Sequence, residues 1–244
     1  MVRLVTFLVA FAATSVLGET SDTVSFGSNS VGTMSLMPHL SATKITAEDI
    51  QNATTGTLTS KVNPGTLIGW TLRSGRWRFL LFLDVLYTEV RAPDSKNVDD
   101  RATGLGSGGL GIGYHFADEK LSATLFHTYT QTLFIRGKSE TVLALDKVTI
   151  PEVGIQFRSI PVKTGNFSLG LEADTRVAFS VSSTNVEHRN GWGFGGKAFA
   201  QISLDSDVSL ETGPYGSYQK NNTQLVNQTR VELGWLAGVT WTFN

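Results

Sequence analysis

The chain has 244 residues, including 25 glycines and no cysteine, and only 17% of its residues are charged, against a usual share of about 25%. The absence of cysteine excludes disulfides, thiolate metal sites, a cysteine nucleophile and a lipidated N-terminal cysteine. The formal net charge of −1 excludes a bulk positive field that would gather nucleic acid, and the content of aromatic and aliphatic residues argues against disorder.

The first 18 residues have the pattern of a secretory signal peptide. A short basic start at residues 1–3 precedes a largely apolar run at residues 4–16, and Gly18 ends a suitable cleavage site before Glu19. The alternative is an N-terminal membrane anchor, but the run is shorter than the ~20 residues that a spanning helix needs. We therefore predict a signal peptide at residues 1–18, a periplasmic tail at 19–30 and the folded domain at 31–244.

Beyond the signal peptide, apolar residues recur at every second position, which is the period of a β-strand. The last segment shows this most clearly, with one face formed by Val231, Leu233, Trp235, Ala237, Val239, Trp241 and Phe243. The same pattern predicts ten strands, at residues 31–43, 62–73, 77–90, 105–116, 121–135, 148–160, 166–181, 192–204, 208–219 and 229–243. Short turns alternate with long loops, which we place at residues 44–61, 91–104, 136–147, 182–191 and 220–228.

The apolar rows should meet across each short turn, because facing residues of a hairpin lie on the same side of the sheet. The predicted pairs nearest the turns are Leu72 with Trp77, Phe116 with Leu121, and Leu204 with Val208. Strand 121–135 fits less well, since Phe126 and Phe134 fall on its polar face, and a bulge there would change the parity. Pro38 and Pro214 each remove a ladder donor, so we expect both at strand ends or bulges.

Alternation alone fits either a soluble barrel or sandwich with an apolar interior or a membrane barrel with an apolar exterior. Three features favour the membrane barrel: the strands are long enough to cross a bilayer at a tilt, the polar face is rich in glycine, and aromatic residues gather at strand ends. Such residues prefer the two membrane–water interfaces. The predicted girdle residues are Trp77, Tyr87, Phe116, Phe157, Phe167, Phe179, Trp192, Tyr218, Trp241 and Phe243.

Over nearly the whole chain after residue 18, this pattern resembles the bacterial outer-membrane β-barrel superfamily. In that superfamily the last strand ends in an aromatic residue that the barrel-assembly machinery reads, and Trp241-Thr242-Phe243 is similar, although Asn244 follows. The resemblance implies an all-β, antiparallel, up-and-down transmembrane β-barrel of about ten strands, with eight to twelve possible. It also implies a location in the bacterial outer membrane, with the membrane lipid and the assembly machinery as partners.

If the apolar faces point outward, the charged residues between them point into the lumen. These residues are Arg78, Asp84, Glu152, Arg158, Glu172, Asp174, Arg176, Lys197, Glu211, Arg230 and Glu232. Because an unpaired charge in a narrow lumen is costly, we expect ion pairs across neighbouring strands. Ten strands enclose little space, which favours a filled polar lumen and a structural or surface-binding role. The alternative is a narrow porin or ligand tunnel.

The spacings used by known outer-membrane enzymes do not support catalysis. Omptin-like proteases need Asp-x-Asp and Asp-x-His pairs, whereas Asp99-Asp100 and Glu187-His188 are adjacent. His39 and Ser41 have the His-x-Ser spacing of lipid A deacylases, but on the inward face of the first strand. No pair among the four histidines has metal-ligand spacing. We therefore predict no catalytic residue, metal or cofactor, with a rim hydrolase as a distant alternative, and we regard the polar long loops as candidate sites for an extracellular ligand.

Overall fold

The computed structural model describes residues 30–49, 54–92, 97–98, 102–116, 120–139, 142–183 and 186–243. The predicted signal peptide and all but the last residue of the predicted tail lie outside these ranges. Within them, no helix is long and apolar enough to cross a membrane.

Thirteen strands in the described residues form one sheet that closes on itself. They are β1 (Ser30–Asp49), β2 (Thr54–Ser60), β3 (Asn63–Ser74), β4 (Trp77–Arg91), β5 (Asn97–Val98), β6 (Ala102–Phe116), β7 (Leu121–Ser139), β8 (Val142–Thr164), β9 (Phe167–Ala178), β10 (Val181–Ser182), β11 (Glu187–Ser203), β12 (Val208–Thr223) and β13 (Val226–Phe243). Ten long strands pair antiparallel around a ring in the order β1-β3-β4-β6-β7-β8-β9-β11-β12-β13, and β13 pairs again with β1. The predicted ten-stranded barrel is confirmed.

The three short strands are additions to this ring at its loop end. β2 continues the line of β3 beyond a break at residues 61–62 and pairs with β1 and β4. β5 pairs in parallel with β8, and β10 pairs with β11. We call the end with the short turns the turn end, and the opposite end the loop end.

All ten predicted strands are present, but most continue further toward the loop end than the sequence indicates. The segment predicted as loop 44–61 consists largely of a hairpin, in which the outer part of β1 pairs with β2 from Lys44–Thr59 to Asp49–Thr54. The predicted loop 220–228 is likewise a tight connection between β12 and β13. These segments are rich in Thr and Asn, so hydrophobic alternation is weak in them, although threonine suits a strand.

The register of the first short turn differs from the prediction by two residues. Leu72 faces Phe79 instead of Trp77, because the turn is made by Gly75-Arg76. Gly75 has a φ of 57°, which glycine adopts without steric cost. A shift of two keeps every side chain on its predicted face. The other two turns have the predicted register, with the pairs Phe116–Leu121 and Ile202–Leu210.

No bulge changes the parity within residues 121–135. β7 keeps a continuous register with β8 through this segment, and a shift occurs only between Gly137 and Ser139. Phe126 points into the barrel because Gly154 on β8 leaves room for its ring, which lies where a Cβ of residue 154 would be. The side chain therefore fits the interior without a change of parity.

The expectation that Pro38 and Pro214 lie at strand ends or bulges is also wrong. Both lie inside strands, β1 and β12 respectively. At Pro38 the ladder between β1 and β13 is interrupted over residues 37–38, and at Pro214 the ladder between β11 and β12 is interrupted over residues 213–214, in each case without a register shift. Each proline therefore coincides with a gap in pairing, where its missing N–H removes no ladder bond.

The apolar faces of the wall strands point away from the barrel axis. Leu171 and Trp235 are 56% and 54% exposed, whereas the charged side chains of Glu152 and Glu211 belong to residues that are 0% and 6% exposed. This is the reverse of a soluble globule, whose apolar residues are buried and whose charges face water. It is the arrangement of a barrel surrounded by lipid. The chain therefore has the architecture of an outer-membrane β-barrel.

Candidate functional site

The lumen is the candidate functional site, and it has three layers in the described residues. Near the turn end lies a layer of paired charges, in the middle lies a cavity bordered by further polar groups, and toward the loop end lies an apolar cluster. The charged layer and the cavity are built by inward-facing residues of several strands, since every second residue of a strand points inward.

The charged layer joins four neighbouring strands. Arg158 on β8 pairs with Glu172 on β9, and its second guanidinium nitrogen lies 3.5 Å from Glu211 on β12. Lys197 on β11 lies between the two carboxylates, 3.3 Å from that of Glu172 and 2.7 Å from that of Glu211. Two bases thus neutralise two acids, which offsets much of the cost of removing all four from water.

Two further groups adjoin this layer. The ring of Phe199 receives the guanidinium of Arg158 at 4.2 Å and the ammonium of Lys197 at 5.1 Å from its centroid, which are cation–π contacts. Arg78, on β4, donates to the hydroxyl of Thr124 on β7. The wall opposite the ion pairs therefore also contributes polar contacts to this layer.

A second set of contacts surrounds Glu152, which is fully buried on β8. Its carboxylate accepts hydrogen bonds from Thr128 and Thr130 of β7 at 3.3 and 2.9 Å, and from Gln219 of β12. Arg176 of β9 lies 3.8 Å from this carboxylate and makes a two-nitrogen contact with Asp174, at 3.1 and 2.7 Å. The bond from Gln219 links walls that two other strands, β9 and β11, separate in the ring.

A third set of contacts joins four strands through His39 of β1. Its Nε2 lies 2.9 Å from Asp84 of β4, and its Nδ1 lies 2.8 Å from the hydroxyl of Tyr215 on β12. The same hydroxyl lies 3.3 Å from Glu232 on β13, which also accepts a hydrogen bond from Arg230. The tyrosine hydroxyl carries one proton, so it can donate either to Glu232 or to a neutral Nδ1, but not to both at once.

This arrangement shows which groups His39 of the His39–Ser41 pair contacts. Both ring nitrogens of His39 contact Asp84 and Tyr215, so the imidazole is not directed at the hydroxyl of Ser41. Both residues are buried and face the lumen, away from lipid. A hydrolase that acts on lipid needs its nucleophile and base at the lipid-facing wall or the rim, and this pair is at neither place. No three His, Asp or Glu side chains in the described ranges are grouped so that they could hold a metal ion.

The cavity between the layers has a volume of about 290 Å³. Its lining combines ionisable groups with apolar ones, and it includes Asp84, Arg176, Tyr215, Met37, Leu86 and Leu236. Toward the loop end it is bordered by Leu105, Thr130 and Gln131. The interior therefore contains space for a few water molecules or a small solute.

The loop-end part of the interior is apolar, whereas the sequence predicts a filled polar lumen. The apolar cluster consists of Ile45, Ala47, Leu58, Val90, Val98, Leu105, Leu133, Ile135, Leu143 and Val226. Six of these residues lie in segments that were predicted as loops, so no inward or outward direction was assigned to them. These side chains are buried together at the loop end of the barrel.

The structure places all the predicted lumen charges inside the barrel, but not all of them in the expected pairs. Pairs between neighbouring strands occur, as between Arg158 and Glu172, whereas Asp174–Arg176 and Arg230–Glu232 are pairs within one strand. Asp84 contacts a histidine, and Arg78 contacts a threonine. Tyr215 and Gln219 also face the lumen and were not predicted to, although their odd positions in strand 208–219 match that of Glu211.

The predicted girdle residues lie on the outer wall. Eight of the ten are exposed, and Phe167 and Tyr218 are half-buried. At the turn end, Tyr114 contacts Trp77 and Phe116 edge to face, with ring centroids 5.3 Å apart in both cases. At the loop end, the rings of Trp192, Phe194 and Tyr218 form one packed group. Tyr114 and Phe194 were not among the predicted girdle residues.

Comparison with known proteins finds similarity at the level of the fold. No protein-family model and no curated protein matches the chain. An outer-membrane channel from Pseudomonas putida F1 is similar, with a TM-score of 0.43 and 10% identity, over 92% of this chain and 100% of that chain. The outer-membrane protease OmpT from Escherichia coli gives a TM-score of 0.44 and 11% identity, over 92% and 100%. Ail, the attachment invasion locus protein of Yersinia pestis, gives 0.26 and 10%, over 87% and 99%.

Proposed function

We propose that the protein is an integral outer-membrane β-barrel with a closed lumen, which acts as a structural or surface-binding component of the envelope and has no enzymatic activity. The observation that carries this proposal is the set of side-chain contacts across the lumen. Arg158 reaches Glu211 across two intervening strands, and Gln219 reaches Glu152 in the same way. Charges held in such contacts occupy part of the interior and narrow the lumen beside the cavity.

The outer wall supports the membrane part of the proposal. Large apolar side chains such as Leu110 and Leu233 are more than 60% exposed on it, and aromatic groups lie at both ends of the strands. In water such a surface would be unstable, whereas in a bilayer it is the expected contact with acyl chains. The lipid of the outer membrane and the barrel-assembly machinery are the partners that we propose.

The strand extensions at the loop end support the surface-binding part. β1 and β2 form a regular hairpin there, with outward positions that include Thr46 and Thr57. Asn190 and Asn222 are joined by a 2.7 Å hydrogen bond between their side chains on neighbouring strands. A paired hairpin holds its polar groups in a fixed row. Binding of a ligand there would therefore cost little conformational entropy of the protein.

Conductance in planar bilayers tests the closed lumen. We expect the purified full-length protein to show no reproducible open steps under conditions in which a known porin does. The alternative, a narrow channel for small solutes, is favoured by the cavity of about 290 Å³, and reproducible steps would establish it instead. Extraction only by detergent and a heat-dependent shift on gels would test the membrane barrel independently of its conductance.

A further inference from the structure

The outer part of the β7–β8 hairpin leaves the barrel wall. β6 begins at Ala102, but it pairs with β7 only as far as the pair Ser107–Thr130. β7 and β8 remain paired with each other to Ser139–Val142. Beyond Thr130 the hairpin therefore continues without its neighbour on the β6 side. We call residues 131–137 and 142–150 of this hairpin the lid.

The lid carries apolar residues on both faces, and its β7 half is buried on both faces at residues 132–135, whereas Lys147 and Thr149 of its β8 half are exposed. Leu133 and Ile135 belong to the apolar cluster at the loop end and pack with residues of β1, β2, β4, β6 and β13. Phe134 and Ile150 belong to a second cluster with Ala178 and Val186 on the other side. A strand in the wall has one face toward lipid or solvent, so a segment that is buried on both faces lies across the mouth instead.

Side chains replace the backbone pairs that are lost where the lid separates from β6. The N–H of Gly106 donates to the side-chain oxygen of Gln131 at 3.0 Å, and the ammonium of Lys147 donates to the carbonyl of Gly104 at 3.2 Å. Within the lid, Arg136 pairs with Asp146 across the two strands at 2.9 Å. The two strands of the lid are thus paired with each other, and the lid is joined to β6 by side-chain hydrogen bonds. Such bonds are replaced by bonds to water more readily than the backbone hydrogen bonds of a ladder.

One glutamine fastens the free edge of the lid to the far wall. Gln228, on β13, donates from its side-chain nitrogen to the carbonyl of Leu133, and its side-chain oxygen accepts from the N–H of Ile135 at 3.1 Å. β13 and β7 are on opposite sides of the ring, with four wall strands between them in either direction. Gln228 is 1% exposed, so these bonds are shielded from water.

We propose that the lid is a hinged cover over the lumen, with its hinge at Gln131 and its fastening at Gln228, and that it controls the access of small solutes from the loop end to the cavity. The hinge residue itself borders the cavity, together with Thr130 and Leu105. The inference rests on the closed lumen of the proposed function and assigns the loop-end closure to one movable hairpin.

Cysteine labelling of the purified protein in detergent micelles tests the lid. The chain has no cysteine, so one introduced thiol reports one position. Leu58→Cys places the thiol on β2, in the apolar cluster that the lid packs against, at a site that is fully buried, and Thr59→Cys places it at the exposed neighbouring position. We expect a bulky maleimide to label Leu58→Cys far more slowly than Thr59→Cys.

Removing the fastening should then expose the buried thiol. Adding Gln228→Ala to Leu58→Cys should raise the labelling rate about tenfold or more, since two buried hydrogen bonds are lost. Thr229→Ala, at the adjacent outward-facing position, is the matched control and should leave the rate unchanged. Val90→Cys is a second buried reporter in the same cluster, to be used if Leu58→Cys fails to fold.

Two results would overturn the lid. One is that the buried reporters label as fast as Thr59→Cys in the absence of Gln228→Ala; the other is that Gln228→Ala and Thr229→Ala give the same rate. Labelling in micelles does not depend on conductance or on location. Reproducible conductance steps from the unaltered protein in a bilayer would therefore reject the closed lumen, while the labelling rates would still test the lid. The two failures are therefore distinguishable.

Discussion

An arginine introduced on the lipid-facing wall should destabilise the barrel according to its depth in the membrane. Leu171 on β9 points outward and is 56% exposed. Along the outward face of this segment it lies between the girdle residues Phe167 and Phe179, near the middle of the apolar band. Leu171→Arg therefore places a guanidinium close to the bilayer midplane, where it finds neither water nor a carboxylate.

The expected cost follows from this depth. A charged side chain at the midplane of a membrane barrel costs about 2–4 kcal/mol, whereas near the interface the cost falls to about 0–1 kcal/mol. Leu171→Arg should therefore lower the free energy of unfolding by about 2–4 kcal/mol. Phe179→Arg, at the loop-end edge of the same strand face, carries the same charge but should lose at most about 1 kcal/mol to it, because the side chain can reach the headgroups.

Denaturant unfolding of the barrel from lipid vesicles measures both costs on one scale. Ser168→Arg supplies an inward-facing comparison on the same strand, where the lumen is polar and the penalty should be smaller than that of Leu171→Arg. Equal losses for Leu171→Arg and Phe179→Arg would show that depth in a bilayer does not determine the effect. A larger loss for Ser168→Arg than for Leu171→Arg would contradict the assigned directions of the two faces.

Two further substitutions test the interior by the same unfolding measurement. Arg158→Ala leaves the carboxylates of Glu172 and Glu211 with one base between them and should lower the free energy of unfolding by about 3–5 kcal/mol. The double variant Arg158→Ala/Glu172→Ala should cost less than the sum of the two single changes. Strict additivity would contradict the pairing. Gly170→Ala should cost about 1–3 kcal/mol, because an aromatic ring of β11 occupies the space of the new methyl group. Gly104→Ala, whose methyl group meets nothing within 4 Å, should cost less than about 1 kcal/mol, roughly the backbone effect alone. Similar losses for the two variants would show that the ring can move aside.

The barrel wall could be predicted from the sequence because its physical signal is local. In Phe167–Ala178 the outward positions are apolar except for Thr175, and the inward positions are polar except for Gly170 and Ala178, so the direction of most side chains follows from their position. The signal persists through the turns, since a register error of two, as at Leu72, leaves the two faces unchanged.

The contacts inside the lumen were less accessible from the sequence, for two reasons. The alternation of side chains along a strand predicts that Tyr215 and His39 point inward. It does not predict which inward residues meet, because that depends on the tilt of the strands and on the depth of each residue in the barrel. Gln228 was missed for another reason, since it lay in a segment predicted as a loop and had no assigned direction. Its partners are backbone groups of β7, and any sequence there would present the same carbonyl and N–H.

A run of consecutive apolar residues is not sufficient to identify the lid. Residues 133–135 and residues 80–83 are both uninterrupted apolar runs, and either could be a strand that is buried on two faces. In β4 the run stays in the wall: Leu81 is 42% exposed, while its neighbours on the other face point into the lumen. In β7 both parities are buried, because the strand has parted from β6 and lies between two walls. The two runs differ because the strand that contains residues 133–135 has lost one neighbouring strand. The lid therefore follows from the topology of the sheet. The same apolar pattern forms part of the wall where pairing continues and part of the lid where pairing ends.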